Sequence, residues 1–245
     1  MSPRILAVVP ARGGSSGLPD KNIRPFAGLP LIAHSLRCAA MTPELTRTVV
    51  STDCEQIAAV ARAHDADVPF LRPAELARPD TPMWPVLRHA LAEVERIEGT
   101  IYDCLVLLDP TSPTRTPDEI AEALRRLRAR PDAVGIISVS VPSYNPIWHT
   151  VVDKGGFMAD FVDGGRYHRR QDVSEVFVIN GLLYAWRADF VRTTPAGWRG
   201  RGRHLMLETP AARACSIDTL EEFAAMEALV KASLVPLPWL KETPR

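Results

Sequence analysis

Residues 5–22 read ILAVVPARGGSSGLPDKN: five apolar residues that stop at Pro10, then a polar loop with glycines at 13, 14 and 17. A short, wholly apolar run closed by a proline is the pattern of a strand buried on both faces. The same pattern returns downstream, each time after a helical stretch. Residues 48–51 (TVVS) and 68–71 form short strands, residues 104–108 (CLVLL) form the central strand, and residues 133–141 add another. Helices are predicted from Pro30 through LIAHSLRCAA, over 55–64, 84–97 and 117–127, and over 219–230 at the close. Pro30 and Pro117 are read as first helical residues, with Asp118 and Glu119 favoured by the dipole in the following turn.

Strands alternating with helices predict an α/β fold: a doubly wound, mainly parallel sheet with helices on both faces. Ligands of such sheets sit outside the carboxyl ends of the strands, where the loop after residue 9 lies. The chain is read as a single domain over 1–245. Residues 176–179 and 182–186 flank Asn180-Gly181, a hairpin signal. Between 146 and 168 the pattern weakens into a glycine-punctuated stretch, read as a small β-ribbon arm that covers a pocket or reaches a second subunit.

Composition narrows the function. Lys plus Arg equals Asp plus Glu at 29 each among 245 residues, which removes a bulk electrostatic case for nucleic acid or an anionic membrane. No apolar run approaches the roughly 18 residues of a membrane span, and no secretory signal is legible, so a cytoplasmic protein is expected. The cysteines at 38, 54, 104 and 215 lack C-x-x-C spacing and are read as reduced thiols. RGRGR at 199–203 is read as a surface loop rather than an RNA-binding tract.

In the loop, the glycines let backbone amides approach an anion, and Arg12, Ser15 and Lys21 add two cations and a hydroxyl. Together they describe a triphosphate cradle. A Walker A loop fails, because Leu18 stands where the second glycine is required. Gly13 to Gly17 matches G-x-S-x-G formally, but it runs into Leu18-Pro19-Asp20 rather than turning into a helix, which disfavours Ser15 as a hydrolase nucleophile.

Residues 10–36, PARGGSSGLPDKNIRPFAGLPLIAHSL, resemble the signature loop of the sugar-nucleotide cytidylyltransferases that activate sialic acid and related nonulosonic acids. The resemblance continues in order through VVSTD (49–53), LRPAELARPDT (71–81), LLDPTSPTRT (107–116), RRQDVSEVFVINGLLY (169–184) and SIDT (216–219). It implies transfer of CMP from CTP to an acidic sugar with release of pyrophosphate, with Mg²⁺ as cofactor and a homodimer closed by the arm. By this resemblance Arg12, Lys21 and Asp218 are catalytic, and Asp218 is also the metal ligand. Ala11, Arg12, Gly13, Gly14, Ser15 and Asn22 bind the nucleotide, with Arg72, Asp80 and Thr81 around the base. Asp109, Arg170, Gln171, Asn180 and Tyr184 meet the acceptor.

Two positions depart from the family pattern. Ser216 stands where an aspartate is common, which weakens the metal site unless Asp53 or Glu208 substitutes. Asp109 stands where many members carry glutamine, and an anion there repels an acidic sugar unless it meets a hydroxyl, an amine or a metal. Those departures keep open another small anionic acceptor, such as a phosphonate, or a nucleotide-binding module without turnover. Asp218 also has a competing reading as a helix cap, with Glu221 three residues on.

Overall fold

A computed structural model describes residues 3–14, 17–162, 167 and 169–240, with only the backbone for Arg170. The elements run β1 (Ile5–Pro10), β2 (Pro25–Phe26), β3 (Leu29–Pro30), α1 (Leu31–Ala40), β4 (Arg47–Ser51), α2 (Glu55–Arg62), α3 (Met83–Glu98), β5 (Cys104–Leu107) and α4 (Pro117–Arg128). They continue with β6 (Gly135–Ser140), α5 (Pro146–His149), β7 (Val151–Asp153), β8 (Met158–Asp160), β9 (Val178–Arg187), α6 (Ala188–Thr193), β10 (His204–Glu208) and α7 (Leu220–Lys231).

Among the described residues, six strands form one sheet in the order β10-β6-β9-β5-β1-β4. β4, β1 and β5 are mutually parallel, as are β6 and β10, whereas β9 pairs antiparallel with both β5 and β6. The sheet is therefore mixed, with β9 alone running against the rest. β1 is buried at every position because helices cover both faces. On one face α1, α2 and α4 pack Ile32, Ile57 and Ile120 with Ala7, Val9 and Val106. On the other, Trp84, Leu87 and Leu91 of α3 meet Leu6, Val8, Leu105 and Trp186. A third cluster packs Phe223 and Met226 of α7 with Leu18, Phe26, Leu31 and Ile217.

Several local expectations change. Residues 68–71 form no strand; only Leu71, and Asp67 just before the segment, touch the sheet edge, through isolated bridges to Thr52 and Val49. Pro30 is the residue before α1 and pairs with Pro25 across the small β2–β3 ladder. Pro117 does open α4, behind a Thr116–Glu119 capping box. Asn180-Gly181 makes no hairpin: β9 runs straight through it, and the register against β6 slips between Ile137 and Val139. Gly181, at φ 76°, accommodates this bulge because it has no Cβ. The ribbon expected within 146–168 is present as the antiparallel pair β7–β8.

His34 in α1 is fully buried and held at both ring nitrogens. Nε2 lies 2.8 Å from the Phe26 carbonyl, and Trp239 Nε1 donates to Nδ1 at 3.0 Å. Nε2 therefore carries the proton and Nδ1 must remain bare to accept from Trp239. Burial pushes the imidazole pKa down to about 4, against backbone hydrogen bonds that favour its charged form. Because the folded pKa lies below the unfolded one, the contribution to stability is complete above pH 6.5 and is lost as pH falls toward 4. Urea unfolding should show about 2 kcal/mol less stability from this group at pH 5 than at pH 7. A His34→Gln variant with the same pH slope as the parent would assign that loss elsewhere.

Candidate active site

The sheet order places the crevice. The chain leaves β1 for β4 on one side and returns through α3 to β5 on the other, so the loops after β1 and β5 diverge and leave a gap between them. A cleft of about 390 Å³ occupies this gap. Its cationic lining is Arg12, Lys21, Arg72 and Arg78, against the two carboxylates Asp109 and Asp218. This excess of positive charge suits a polyanion.

The loop after β1 is pinned from beneath. Leu18 is buried in the same cluster as Ile217, which joins the loop to the segment before α7. Gly17 lies so close to that segment that a Cβ would stand 2.5 Å from the Asp218 carbonyl oxygen. Gly13 N–H donates to Asp53 Oδ1 at 2.9 Å, and Asn22 Nδ2 donates to the Arg12 carbonyl at 3.2 Å. The loop thus returns to a 3₁₀ turn at Lys21–Ile23. Lys21 is nearly buried, and its Nζ donates to Asp218 Oδ1 at 2.7 Å. A Gly17→Ala substitution must displace backbone, not a flexible side-chain tip. With CTP, the nucleotide the sequence resemblance implies, kcat/KM is expected to fall about 10- to 100-fold through misplacement of this pair. Unchanged steady-state constants with CTP would show that the contact is not needed.

Asp218 is released for this role by its neighbour. The cap of α7 is Thr219, whose capping box closes with Glu222, not Asp218 with Glu221. Asp218 instead accepts from Lys21 and, through Oδ2, from the Ser216 hydroxyl at 3.1 Å. Burial would raise its carboxyl pKa, but the Lys21 hydrogen bond and charge, with Ser216, outweigh burial and hold it below the ordinary value. Ile217 N–H donates to the Thr111 carbonyl at 2.8 Å, so the segment rests on the loop after β5. In that loop Asp109 Oδ1 accepts from the Thr111 amide and hydroxyl, at 3.1 and 2.9 Å. Neither acid suggested as a substitute shares the cleft: Asp53 serves Gly13, and Glu208 lines a separate groove beside α4. The carboxylate that does face the cleft with Asp218 is Asp109.

The remaining expected residues divide. Arg12, Asn22, Arg72 and Thr81 line the cleft. Arg72 is held by Ser51, through Nε to Oγ at 3.1 Å and through an amino nitrogen to the carbonyl, and burial lowers its pKa to about 10. Ala11 is buried, with its amide on Ser51, and Asp80 is exposed outside the lining. Gly14 carries the Arg12 guanidinium on its carbonyl at 3.0 Å, and Ser15 lies outside the described residues.

Tyr184 lines a second cavity that shares Asp109 with the cleft, while Gln171 is exposed and lines neither space. The Arg170 side chain lies outside the described atoms. Asn180 has its amide fully engaged: Oδ1 accepts from the Ser138 hydroxyl and the Leu182 amide, and Nδ2 donates to Ser140 and Thr209. All four hydrogen-bonding positions are filled by β6, β9 and Thr209 just after β10, which leaves none for an acceptor in this arrangement. Arg78, Thr111 and Met83 line the cleft without having been singled out from sequence. Arg78 and Thr111 lie in the quoted blocks 71–81 and 107–116 without a role having been given to them, whereas Met83 lies outside every block and reaches the cleft through the fold alone.

The cytidylyltransferase family model matches residues 6–196. A CMP-N,N'-diacetyllegionaminic acid synthase from Legionella pneumophila is 33% identical over 231 residues, covering 93% of this chain and 97% of the relative. A pseudaminic acid cytidylyltransferase from Campylobacter jejuni is 27% identical over 235 residues, covering 93% and 97%. Among solved structures, a CMP:2-keto-3-deoxy-manno-octonic acid synthetase complexed with CTP matches with a TM-score of 0.70 at 18% identity, covering 94% of this chain and 99% of that one. That structural likeness speaks for the fold, whereas the sequence matches run through the loop, the cleft and the strands that carry them. This chain belongs to the cytidylyltransferase family.

Proposed function

We propose that the protein transfers CMP from CTP to the hydroxyl of an acidic sugar of the nonulosonic type and releases pyrophosphate. The observation that carries this is the four-cation cleft at the divergence of β1 and β5, with Lys21 and Asp218 paired at 2.7 Å on its floor. The acceptor oxygen forms a bond to the α-phosphorus, the bond from that phosphorus to the β-phosphate bridging oxygen breaks, and the hydroxyl proton passes to solvent or a carboxylate. Such transfers depend chiefly on positioning and neutralisation of charge. Arg12 and Lys21 neutralise the triphosphate, and Arg72, Asn22 and Thr81 bound the nucleoside end. Tyr184 and Asp109 face the acceptor.

The donor set suits Mg²⁺. Among the described residues no three His, Cys, Asp or Glu side chains gather as a metal cage. Mg²⁺ is commonly held by one or two carboxylates together with substrate phosphates, and Asp218, kept ionised, supplies such an oxygen. When bound, the ion neutralises phosphate charge. Lys21 holds the Asp218 carboxylate in orientation meanwhile.

The working form is read as a cytoplasmic homodimer of a single catalytic domain. On the ribbon, Phe157 and Met158 are each 78% exposed and Phe161 is 65% exposed, an apolar set that a second copy would cover. No helix of the described residues is long and apolar enough to cross a membrane. Sedimentation that gives a concentration-independent monomer would overturn the dimer. Pyrophosphate release, measured with each of the four ribonucleoside triphosphates and Mg²⁺ against acidic sugars and phosphonates, tests the reaction. Release is expected with CTP and an acidic sugar. CTP binding without release from any acceptor would reduce the protein to a binding module.

A further inference from the structure

Arg72 lines the nucleotide cleft from a fixed position, and the residue that fixes it is Ser51, the last of β4. Ser51 is wholly buried and does not itself line the cleft. Its hydroxyl accepts from Arg72 Nε at 3.1 Å, and its carbonyl accepts from Nη2 of the same guanidinium. Two contacts along one edge of a planar group hold both its position and its tilt. The other amino nitrogen, Nη1, has no hydrogen-bond partner among the described residues and is not sealed from solvent, which makes it the free donor on the side of the cleft. The backbone of Arg72 is anchored separately, through its N–H to the Thr52 carbonyl at 2.7 Å. The Ser51 carbonyl also takes the Ala11 amide at 3.0 Å, so β4 underlies both the loop after β1 and the arginine. The Ser51 hydroxyl serves only the arginine side chain among the described residues.

We propose that Ser51 is a positioning residue for the choice of base: its hydroxyl aims Arg72 so that the cleft takes cytosine and rejects uracil. The inference rests on the CTP-dependent reading above, in which Arg72 bounds the nucleoside end. A guanidinium only donates, and burial lowers the Arg72 pKa no further than about 10, so it does so throughout the neutral range. The two pyrimidines differ at the ring nitrogen such a donor meets. N3 of cytosine is a bare acceptor beside O2, whereas N3 of uracil carries a proton between two carbonyls. A donor locked onto N3 and O2 gains with cytosine and meets an N–H with uracil. Leu76 and Val86, also in the lining, touch either ring alike and cannot tell them apart. Discrimination holds only while the donor cannot turn. O2 is common to both bases, so a guanidinium free to swivel keeps O2, gives up N3 and treats the two alike. The Ser51 carbonyl alone is a single pivot, and the hydroxyl is the second point that stops the rotation.

Calorimetric binding of CTP and of UTP, each with Mg²⁺ and without acceptor, tests this on the parent and on Ser51→Ala. The parent should bind CTP at least about 10-fold more tightly than UTP, and Ser51→Ala should bring that ratio within about threefold of unity, chiefly by weakening CTP. In turnover the same variant should raise KM for CTP about 10-fold with kcat within about threefold, because the base contact is made equally in ground and transition states. On an Arg72→Met background Ser51→Ala should leave the ratio unmoved, since the hydroxyl acts through the guanidinium. A general loosening of the fold would weaken both nucleotides alike and would persist on that background. A parent that binds both nucleotides equally or neither, a Ser51→Ala variant that keeps the parental ratio, or one that shifts the ratio as much without Arg72, overturns the inference. If the parent discriminates but releases no pyrophosphate from CTP with any acid, the transfer reaction fails while the binding ratio still decides the role of Ser51.

Discussion

Lys21→Met is expected to lower kcat for CMP transfer about 10²- to 10³-fold, the range for removing one preorganised donor from a developing anion. Lys21 is held where it is by the fold: its turn is tied back to Arg12 through Asn22, and its Nζ is fixed on Asp218 at 2.7 Å. In the proposed role, a side chain so placed would meet the triphosphate without being reordered. Removing it also takes the main countercharge from Asp218, whose side chain is 64% exposed and is rehydrated at little cost to stability. The melting temperature should therefore move little while turnover collapses. Lys21→Arg keeps the charge on a bulkier, planar group and should recover part of the rate. A variant with kcat within about threefold of the parent and only KM raised would show that Lys21 binds ground state and transition state alike.

The fold was legible where burial is complete on both sides. The apolar runs at the cores of β1, β4, β5 and β6 have no other soluble explanation, and the helices between them follow from amphipathic periodicity and from starts marked by Pro or Thr. Legibility fails where one local pattern serves two structures. Asn180-Gly181 supplies the positive-φ residue of a hairpin turn and equally of a bulge; pairing of β9 with strands on both sides decided for the bulge. The same decision engages the Asn180 amide inside the sheet. β10 was not legible because the apolar run in its HLMLE is only three residues long and follows the polar RGRGR. At Asp218 the sequence offers two capping boxes one residue apart, and Thr219 with Glu222 takes the helix. The glycine-rich loop was readable because consecutive residues build it. The second cavity was not, because it joins α3, β9 and the loop carrying Trp198, segments brought together only by the sheet order.

Arg115→Met should destabilise the protein by about 3–5 kcal/mol, the scale of stranding buried polar partners. Arg115 is completely buried and its guanidinium meets no carboxylate directly. It donates instead to the Leu182 carbonyl of β9 at 2.7 Å, to the Ser35 hydroxyl of α1 at 2.7 Å and to the Asp109 carbonyl. Burial lowers its pKa, so the charge persists because these oxygens replace water around it. Methionine fills much of the volume but leaves the Leu182 and Asp109 carbonyls without that donor. At roughly 2–4 °C per kcal/mol for a chain of this size, the melting temperature should fall by about 10 °C. Arg115→Lys retains a charge but not the planar fork and should fall between the two. Arg125→Met, which removes an exposed pair with Glu122, serves as the control and should change stability by less than about 0.5 kcal/mol. The effect should extend past stability, because the Asp109 carbonyl is one of the three anchors. With that anchor lost, Asp109 is held mainly by its own turn, through Thr111 on Oδ1 and the Ser112 amide on its carbonyl, and kcat/KM for the acceptor should fall more than kcat/KM for CTP. A variant as stable as the parent, with both constants unchanged, would mean that the loop after β5 is held by its Thr111 contacts alone.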